Sequence, residues 1–169
     1  MRRGRWAWLL LVAVAAAACS TARVQAGIFH SDTGYRVTLP PGGWTVVKSG
    51  DADLELRRSE PAGGIAVSAT CEGAPPGRPL PLLARHLTFG LADRRTLERG
   101  PAEVGGAAAE RLVLSGRVDG TEVMVEAVVT KDARCVYDFL YVASPESFEA
   151  GRPAFRALIG SFAAGRPGR

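Results

Sequence analysis

A hairpin pattern in the second half of the chain constrains the fold more than any other feature. Glu110 to Arg117 and Thr121 to Thr130 are runs rich in strand-forming residues, and Asp119-Gly120 lies in the turn between them. Both central positions of a two-residue hairpin turn need a positive φ, which Asp tolerates and Gly adopts freely. The pattern therefore predicts two long antiparallel strands joined by a tight turn.

A third strand follows the hairpin and is apolar on nearly both of its faces. Such a strand is expected near the centre of a sheet, with a layer packed on each side. We interpret its aromatic face as core rather than as the wall of a ligand groove. The two faces are Cys135, Tyr137, Phe139 and Tyr141 on one side, and Val136, Asp138, Leu140 and Val142 on the other.

Shorter strands and two helical regions complete the expected pattern. Leucines at helical spacing predict a helix that begins at Pro79 or Pro81 and ends at Leu91. Asp93 to Arg95 are expected to lead the chain away from this helix. Ser144-Pro145 is typical of a helix start, and Pro153 is expected to begin a second, shorter helix there. The predicted strands before the first helix are 35–39, 44–47, 53–57 and 64–71. This order predicts an α+β fold, mainly an antiparallel sheet with helices packed on its faces.

The N-terminus reads as an export signal. Arg2, Arg3 and Arg5 precede an uncharged run of 13 residues, Trp6 to Ala18. A membrane-spanning helix needs about 20 apolar residues, whereas the apolar region of a signal peptide has about 7 to 15. Residues 1–18 are therefore predicted to be a signal peptide, and Cys19 follows them directly.

The segment Ala16-Ala17-Ala18-Cys19 resembles the lipobox of bacterial lipoproteins, although Ala16 stands where that family usually has Leu. The resemblance implies that Cys19 becomes the acylated N-terminus, and that the protein is anchored in the cell envelope and faces the periplasm. Ser20 favours the outer membrane over the inner one. The same three alanines also fit ordinary signal cleavage, which would give a soluble secreted protein.

Four segments are expected from this layout. Residues 1–18 form the lipoprotein signal, residues 19–26 the lipidated N-terminus and a short tether, residues 27–163 one domain, and residues 164–169 a flexible tail. Once the signal is removed, the 151 remaining residues suit one domain with one core.

Cysteine and charge counts agree with export. Cys71 and Cys135 remain as a pair beside Cys19, and a pair in an oxidising compartment favours a disulfide, although two buried free thiols would also fit. Three of the 21 basic residues lie in the signal, which leaves 18 basic against 17 acidic residues. This near-neutral balance, without a Lys/Arg-rich run, argues against nucleic acid as a partner.

Constellations that carry chemistry are weak. Asp51, Asp53 and Glu55 alternate and could share a cation, but a solvated strand face explains them better because a calcium loop needs a turn glycine and a closing bidentate Glu. Ser115 has no nucleophile-elbow sequence around it, and His86 lies on the leucine-striped helix. A cysteine nucleophile would need a neighbouring base that sequence alone does not reveal. We predict no catalytic, cofactor-binding or metal-ligating residues.

The order of elements resembles the PsbP-like (DcrB-like) fold. The resemblance rests on Gly34 to Leu39 followed by Pro40, on Gly43-Trp44, and on the final strand and helix that end in Ser161-Phe162. It covers Gly27 to Phe162 and implies an α/β/α sandwich, together with a non-enzymatic role in binding or assembly. The motifs are structural, so the resemblance brings no site residues with it.

Three hypotheses of function follow. The first is a non-catalytic envelope lipoprotein that binds or assembles an envelope partner. The second is a periplasmic module for a lipid or small molecule, and the third is an enzyme whose dispersed site does not show in the sequence.

Overall fold

The computed structural model describes residues 23–71 and 77–165, and these residues form eleven strands and two helices. The first half contains β1 Val24–Gln25, β2 Ile28–His30, β3 Tyr35–Thr38, β4 Thr45–Val47, β5 Leu54–Arg58, β6 Gly63–Thr70 and α1 Leu80–His86. The second half contains β7 Ala92–Val104, β8 Ala107–Val118, β9 Thr121–Lys131, β10 Val136–Ala143, α2 Pro145–Gly160 and β11 Ala163–Ala164. Residues 24 and 25, which the sequence placed in the tether, form β1.

The main sheet has seven antiparallel strands in the order β4-β5-β6-β10-β9-β8-β7. The predicted hairpin is confirmed as β8 and β9, and its turn residues Asp119 and Gly120 have φ of 49° and 79°. Strand β10 lies at the centre, where Tyr141 is opposite Ile65 of β6 and Glu126 of β9. Its predicted central position is therefore confirmed.

One face of the main sheet is closed by α2 and by a smaller sheet of four strands, in the order β1-β2-β3-β11. The aromatic side chains of β10 point into this layer and are fully buried, as expected for core. Their neighbours there come from the small sheet and from α2. The central members of this core are Tyr35, Val37, Tyr137, Phe139, Tyr141, Phe148, Phe155 and Leu158.

The opposite face carries α1, which packs over one end of it. Ala84 is the buried residue of α1, and it meets Val129 of β9 and Val136 of β10. Leu83 and Leu87 lie beside this contact and are only partly buried. Because helices cover both faces of one sheet, the predicted α+β sandwich is confirmed.

Three local predictions are wrong. The first helix ends at His86 and does not reach Leu91. Pro153 does not begin a new helix: α2 runs without a break from Pro145 to Gly160 with Pro153 on its exposed side. Buried residues before and after the proline, Phe148 and Phe155, hold both halves against the same sheet, so tertiary packing outweighs the missing hydrogen bond.

The prediction for the segment after α1 is also wrong. Asp93 to Arg95 were expected only to leave the helix, yet they belong to β7, a 13-residue edge strand paired with β8. Most of β7 is exposed, so the strand has no apolar alternation that the sequence could reveal. Charged side chains, Pro101 and two register irregularities along it are the features that protect an edge strand from further pairing.

Candidate functional site

The part of the main sheet that α1 leaves open forms an apolar groove. A helix of seven residues is about 10 Å long, whereas seven strands span about 29 Å, so α1 can cover only part of its face. The groove has a volume of about 670 Å³. This size lies in the range of about 300 to 1,000 Å³ that is typical of ligand sites.

The groove lies over four neighbouring strands, β5, β6, β10 and β9. Its floor is made by Gly64 and Ala66 of β6, by Leu140 and Val142 of β10, and by Val123 of β9. All five are partly buried, and none carries a polar side chain. The small residues of β6 make the floor concave, and the branched residues beside them make it apolar.

Polar groups occur at the rim. Glu55 and Arg57 alternate with the buried Leu54 and Leu56, so β5 presents them on the groove face. Glu55 is engaged locally, since it accepts hydrogen bonds from the hydroxyl of Ser49 and, at 3.2 Å, from its backbone N–H. The Arg57 guanidinium is exposed and forms no hydrogen bond or ion pair with any residue that the structure describes.

The far rim is the end of the β8–β9 hairpin. Val118 is 42% exposed, and it lines the groove together with Thr121. Arg117 is not a free cation at the groove, because its guanidinium donates a hydrogen bond to the carbonyl of Gly120 at 2.7 Å. The hairpin end therefore supplies an apolar wall rather than a second free cation.

Asp138 lies on the same face of β10 as Val136 and Leu140, opposite Ser68 of β6 and Val129 of β9. Burial raises the pKa of its carboxyl to about 6, because the charged form loses hydration there. No residue in the described ranges donates a hydrogen bond to it. An acidic group without a partner in an apolar layer is costly, and such groups occur more often near functional sites.

The α2 face also contains charged residues, but these satisfy one another. Glu126 of β9 is 1% exposed and accepts a 2.6 Å hydrogen bond from Arg152 of α2. Arg152 also reaches Glu149 at 2.9 Å and Glu98 at 3.2 Å, and Arg111 bridges Glu98 at 2.7 Å. This network, which is buried at Glu126 and Arg152 and exposed at Glu98 and Glu149, joins α2 to three strands and leaves little capacity for a ligand.

The predicted site residues have different outcomes. Cys19, the predicted lipid attachment point, lies outside the described residues. Cys71 and Cys135 are bonded to each other, with their Cα atoms 4.1 Å apart, so the predicted disulfide is confirmed. The bond ties the end of β6 to the start of β10, at the opposite end of these strands from the groove.

The weaker candidates do not come together. Asp53 accepts hydrogen bonds from the backbone N–H of Ala69 at 3.0 Å and from Ser31, which separates its role from that of Glu55. His86 packs against exposed Phe89, with ring centroids 4.8 Å apart and the ring planes tilted by 51°. Within the described ranges, no group of three or more His, Cys, Asp or Glu residues is arranged to hold a metal ion.

The sequence analysis missed the groove. It predicted that both faces of β10 would be covered, and it extended the first helix to Leu91, which would have covered more of the sheet. Two signals were available: the small residues Gly64 and Ala66 on one face of β6, and Asp138 within an otherwise apolar face. Neither signal shows that α1 ends at His86.

No protein-family model matches the chain, and no curated protein matches it by sequence. Solved structures do match. The cyanobacterial PsbP protein of Synechocystis has a TM-score of 0.58 at 16% identity, over 90% of this chain and 98% of that one. LpqN of Mycobacterium tuberculosis, described as involved in cell envelope biogenesis, has a TM-score of 0.59 at 16% identity, over 81% and 88%.

A third similar structure, from Bacteroides thetaiotaomicron, has a TM-score of 0.62 at 13% identity and covers 86% of this chain. This chain spans about half of that protein, with 51% coverage. None of the described helices has the length and apolar character needed to cross a membrane. Because all three identities are low, the similarity establishes the architecture alone: the chain is an α+β domain with a PsbP-like fold.

Proposed function

We propose that this protein is a non-catalytic module of the cell envelope that binds an envelope component through the apolar groove. The groove carries this proposal, because an apolar surface of that size, open beside a closed core, is characteristic of binding sites. The absence of a converging set of nucleophile, base and orienting group among the described residues supports a role in binding rather than catalysis.

The cellular location is part of the same proposal. The lipobox-like segment that ends at Cys19 supports a lipid anchor in the envelope, with the domain facing the periplasm. The disulfide fits an oxidising compartment, and LpqN, which shares the fold, is described as involved in cell envelope biogenesis. Expression of the native chain and of Cys19→Ser, followed by fractionation and intact mass, tests the anchor. An equal distribution of the two proteins would contradict it.

The choice between a macromolecular partner and a small ligand depends on what occupies the groove. The first is supported by the fold shared with an envelope-biogenesis protein, and the second by the volume and apolar floor of the groove. Both place the contact on the same surface, so one experiment tests the surface itself.

Site-specific photo-crosslinking in cells provides that experiment. A photoreactive residue at Val123, on the groove floor, is expected to give a defined adduct whose mass identifies a protein or a lipid. Val46 is the matched control, since it is an exposed valine on the edge strand β4, on the opposite face. Adducts from Val46 alone, or equal adducts from both positions, would contradict the proposal.

A further inference from the structure

The floor of the groove selects an alkyl chain over an extended peptide. Each of its four strands is hydrogen-bonded to a neighbouring strand on both sides, so the N–H and C=O groups are already used. A peptide laid over this surface would lose the hydration of its own backbone and gain no hydrogen bonds in return. A hydrocarbon chain has no polar groups to satisfy, and it gains from burial against Ala66, Leu140 and Val142.

The rim selects a negative charge for the other end of the ligand. Arg57 extends from the groove side of β5 with no partner among the described residues, while the Glu55 carboxylate, which also lines the groove, accepts hydrogen bonds from Ser49 rather than from Arg57. A guanidinium binds a carboxylate with two parallel hydrogen bonds, which suits a ligand whose head lies at this rim. Arg58, the next residue, faces the other layer and donates to the carbonyl of Pro61 at 3.1 Å.

We infer that the groove binds a fatty-acyl carboxylate, with the alkyl chain on the floor of small and branched residues and the carboxylate on Arg57. The inference rests on the proposed function, in which the groove is the binding surface, and it adds the chemistry of the occupant. No covalent step is involved.

Calorimetric titration of the exported Cys19→Ser protein, purified without detergent, tests the chemistry. Decanoate and dodecanoate are the probes, used below their micelle concentrations, and dodecanol is the uncharged comparison. Each methylene that enters the groove is expected to strengthen binding about fourfold, so dodecanoate should bind about fifteenfold more tightly than decanoate. Dodecanoate should also bind more tightly than dodecanol.

Variants test the position. Arg57→Gln is expected to weaken dodecanoate binding by up to about fivefold, in keeping with an exposed ion pair, and to leave dodecanol unchanged. Arg95→Gln removes the same charge from the exposed edge strand β7 and should change neither affinity. Ala66→Phe fills the floor, and Val123→Glu places a charge there that repels the ligand carboxylate; each should abolish saturable binding, and circular dichroism reports whether each one folds.

Three results would overturn the inference. The first is equal binding of dodecanoate and dodecanol with no effect of Arg57→Gln, which would remove the assigned head group. The second is unchanged binding by a folded Ala66→Phe or Val123→Glu protein, which would place the ligand elsewhere. The third is an absence of saturable binding by any probe. If one of these three results is obtained and a protein adduct still forms at Val123 in cells, the fatty-acyl inference fails while the proposed function stands.

Discussion

The two helices of this domain lie on opposite faces of one sheet and do different work. Helix α2 has 16 residues, and it buries Phe148, Phe155 and Leu158 completely. Helix α1 has seven residues and buries only Ala84. One face is therefore a closed core that holds the fold, and the other is half open and available to a ligand. A domain can therefore be stabilised by the core on one face of its sheet and keep an apolar surface on the other face.

Close contacts show how fully α2 is committed to the core. Gly151 lies against the ring of Tyr141, where a Cβ atom would overlap the phenol oxygen, and the Tyr141 hydroxyl donates to the carbonyl of Phe148 at 3.0 Å. Among the described residues, no comparable contact holds α1. Leu80 and Leu83 of α1 are partly exposed, and so is Leu87, the residue that caps its C-terminal end and packs at the border of the groove.

The largest expected effect comes from truncating a side chain of α2. Phe155→Ala should lower the free energy of unfolding by about 3–5 kcal/mol, because it removes a fully buried ring that stacks on Tyr141. The matched change in α1, Leu83→Ala, should cost less than half as much because the side chain is partly exposed. Urea denaturation of both variants gives the comparison. Equal losses would mean that the two helices contribute alike.

Breaking the buried ion pair between Glu126 and Arg152 should cause the second-largest loss of stability. Arg152→Leu removes the 2.6 Å partner of buried Glu126, which keeps only longer contacts to Arg111 at 3.4 Å and Arg156 at 3.7 Å, and the change should cost about 3 kcal/mol. Replacing both charges, with Glu126→Leu and Arg152→Leu together, should recover most of that loss, because no uncompensated charge remains. Thermal and urea denaturation measure both. A double variant as unstable as the single one would show that the network stabilises by more than mutual compensation.

Replacing Asp138 should stabilise the fold, whereas the substitutions above destabilise it. Its pKa rises from about 4 in the unfolded chain to about 6 in the fold, so the folded state holds the proton more tightly. The native protein should lose stability as the pH rises from 4 to 6, and Asp138→Asn should be about 2 kcal/mol more stable at pH 7. The difference between the two pH–stability curves isolates this group.

Asp132 provides the control for that substitution. Its carboxylate accepts hydrogen bonds from the N–H groups of Arg134 and Cys135 at 2.7 and 2.8 Å, and from the Tyr137 hydroxyl at 2.9 Å. Asp132→Asn should therefore lower stability at pH 7, whereas Asp138→Asn raises it. A loss of stability in both variants would mean that a partner stabilises the Asp138 carboxylate, and it would contradict the expected gain from Asp138→Asn.

The smallest effect on stability is expected at the groove rim. Arg57→Gln should change the free energy of unfolding by less than about 0.5 kcal/mol, since the side chain is exposed and unpaired. A larger loss in urea denaturation would show that Arg57 supports the fold, and would weaken its assignment to a ligand.

The sequence predicted the closed side of the molecule much better than the open side. The Asp119-Gly120 turn, the alternation along β10 and the Ser144-Pro145 start of α2 are local patterns, and each predicted its element. Pro153 misled because packing on both sides of it outweighs its local preference. Strand β7 was missed because an exposed edge strand carries no apolar alternation.

The groove could not be predicted from local patterns at all. It results from the lateral position of β5 beside β6, from the short length of α1, and from the place where α1 lands on the sheet. These are tertiary facts. Arg57 looks like any surface arginine in the sequence, and it becomes notable only because the structure places it beside an apolar floor without an acidic partner.

The central claim is that the open half of the α1 face is the binding surface. The most direct test is a nuclear magnetic resonance titration of the exported Cys19→Ser protein with dodecanoate, in which backbone amide shifts are mapped residue by residue. We predict that the largest saturable shifts occur at Ala66, Val123, Leu140 and Val142, with smaller changes on α2 and the four-stranded sheet. Shifts centred on α2 or on the four-stranded sheet, or no saturable shifts, would contradict the account.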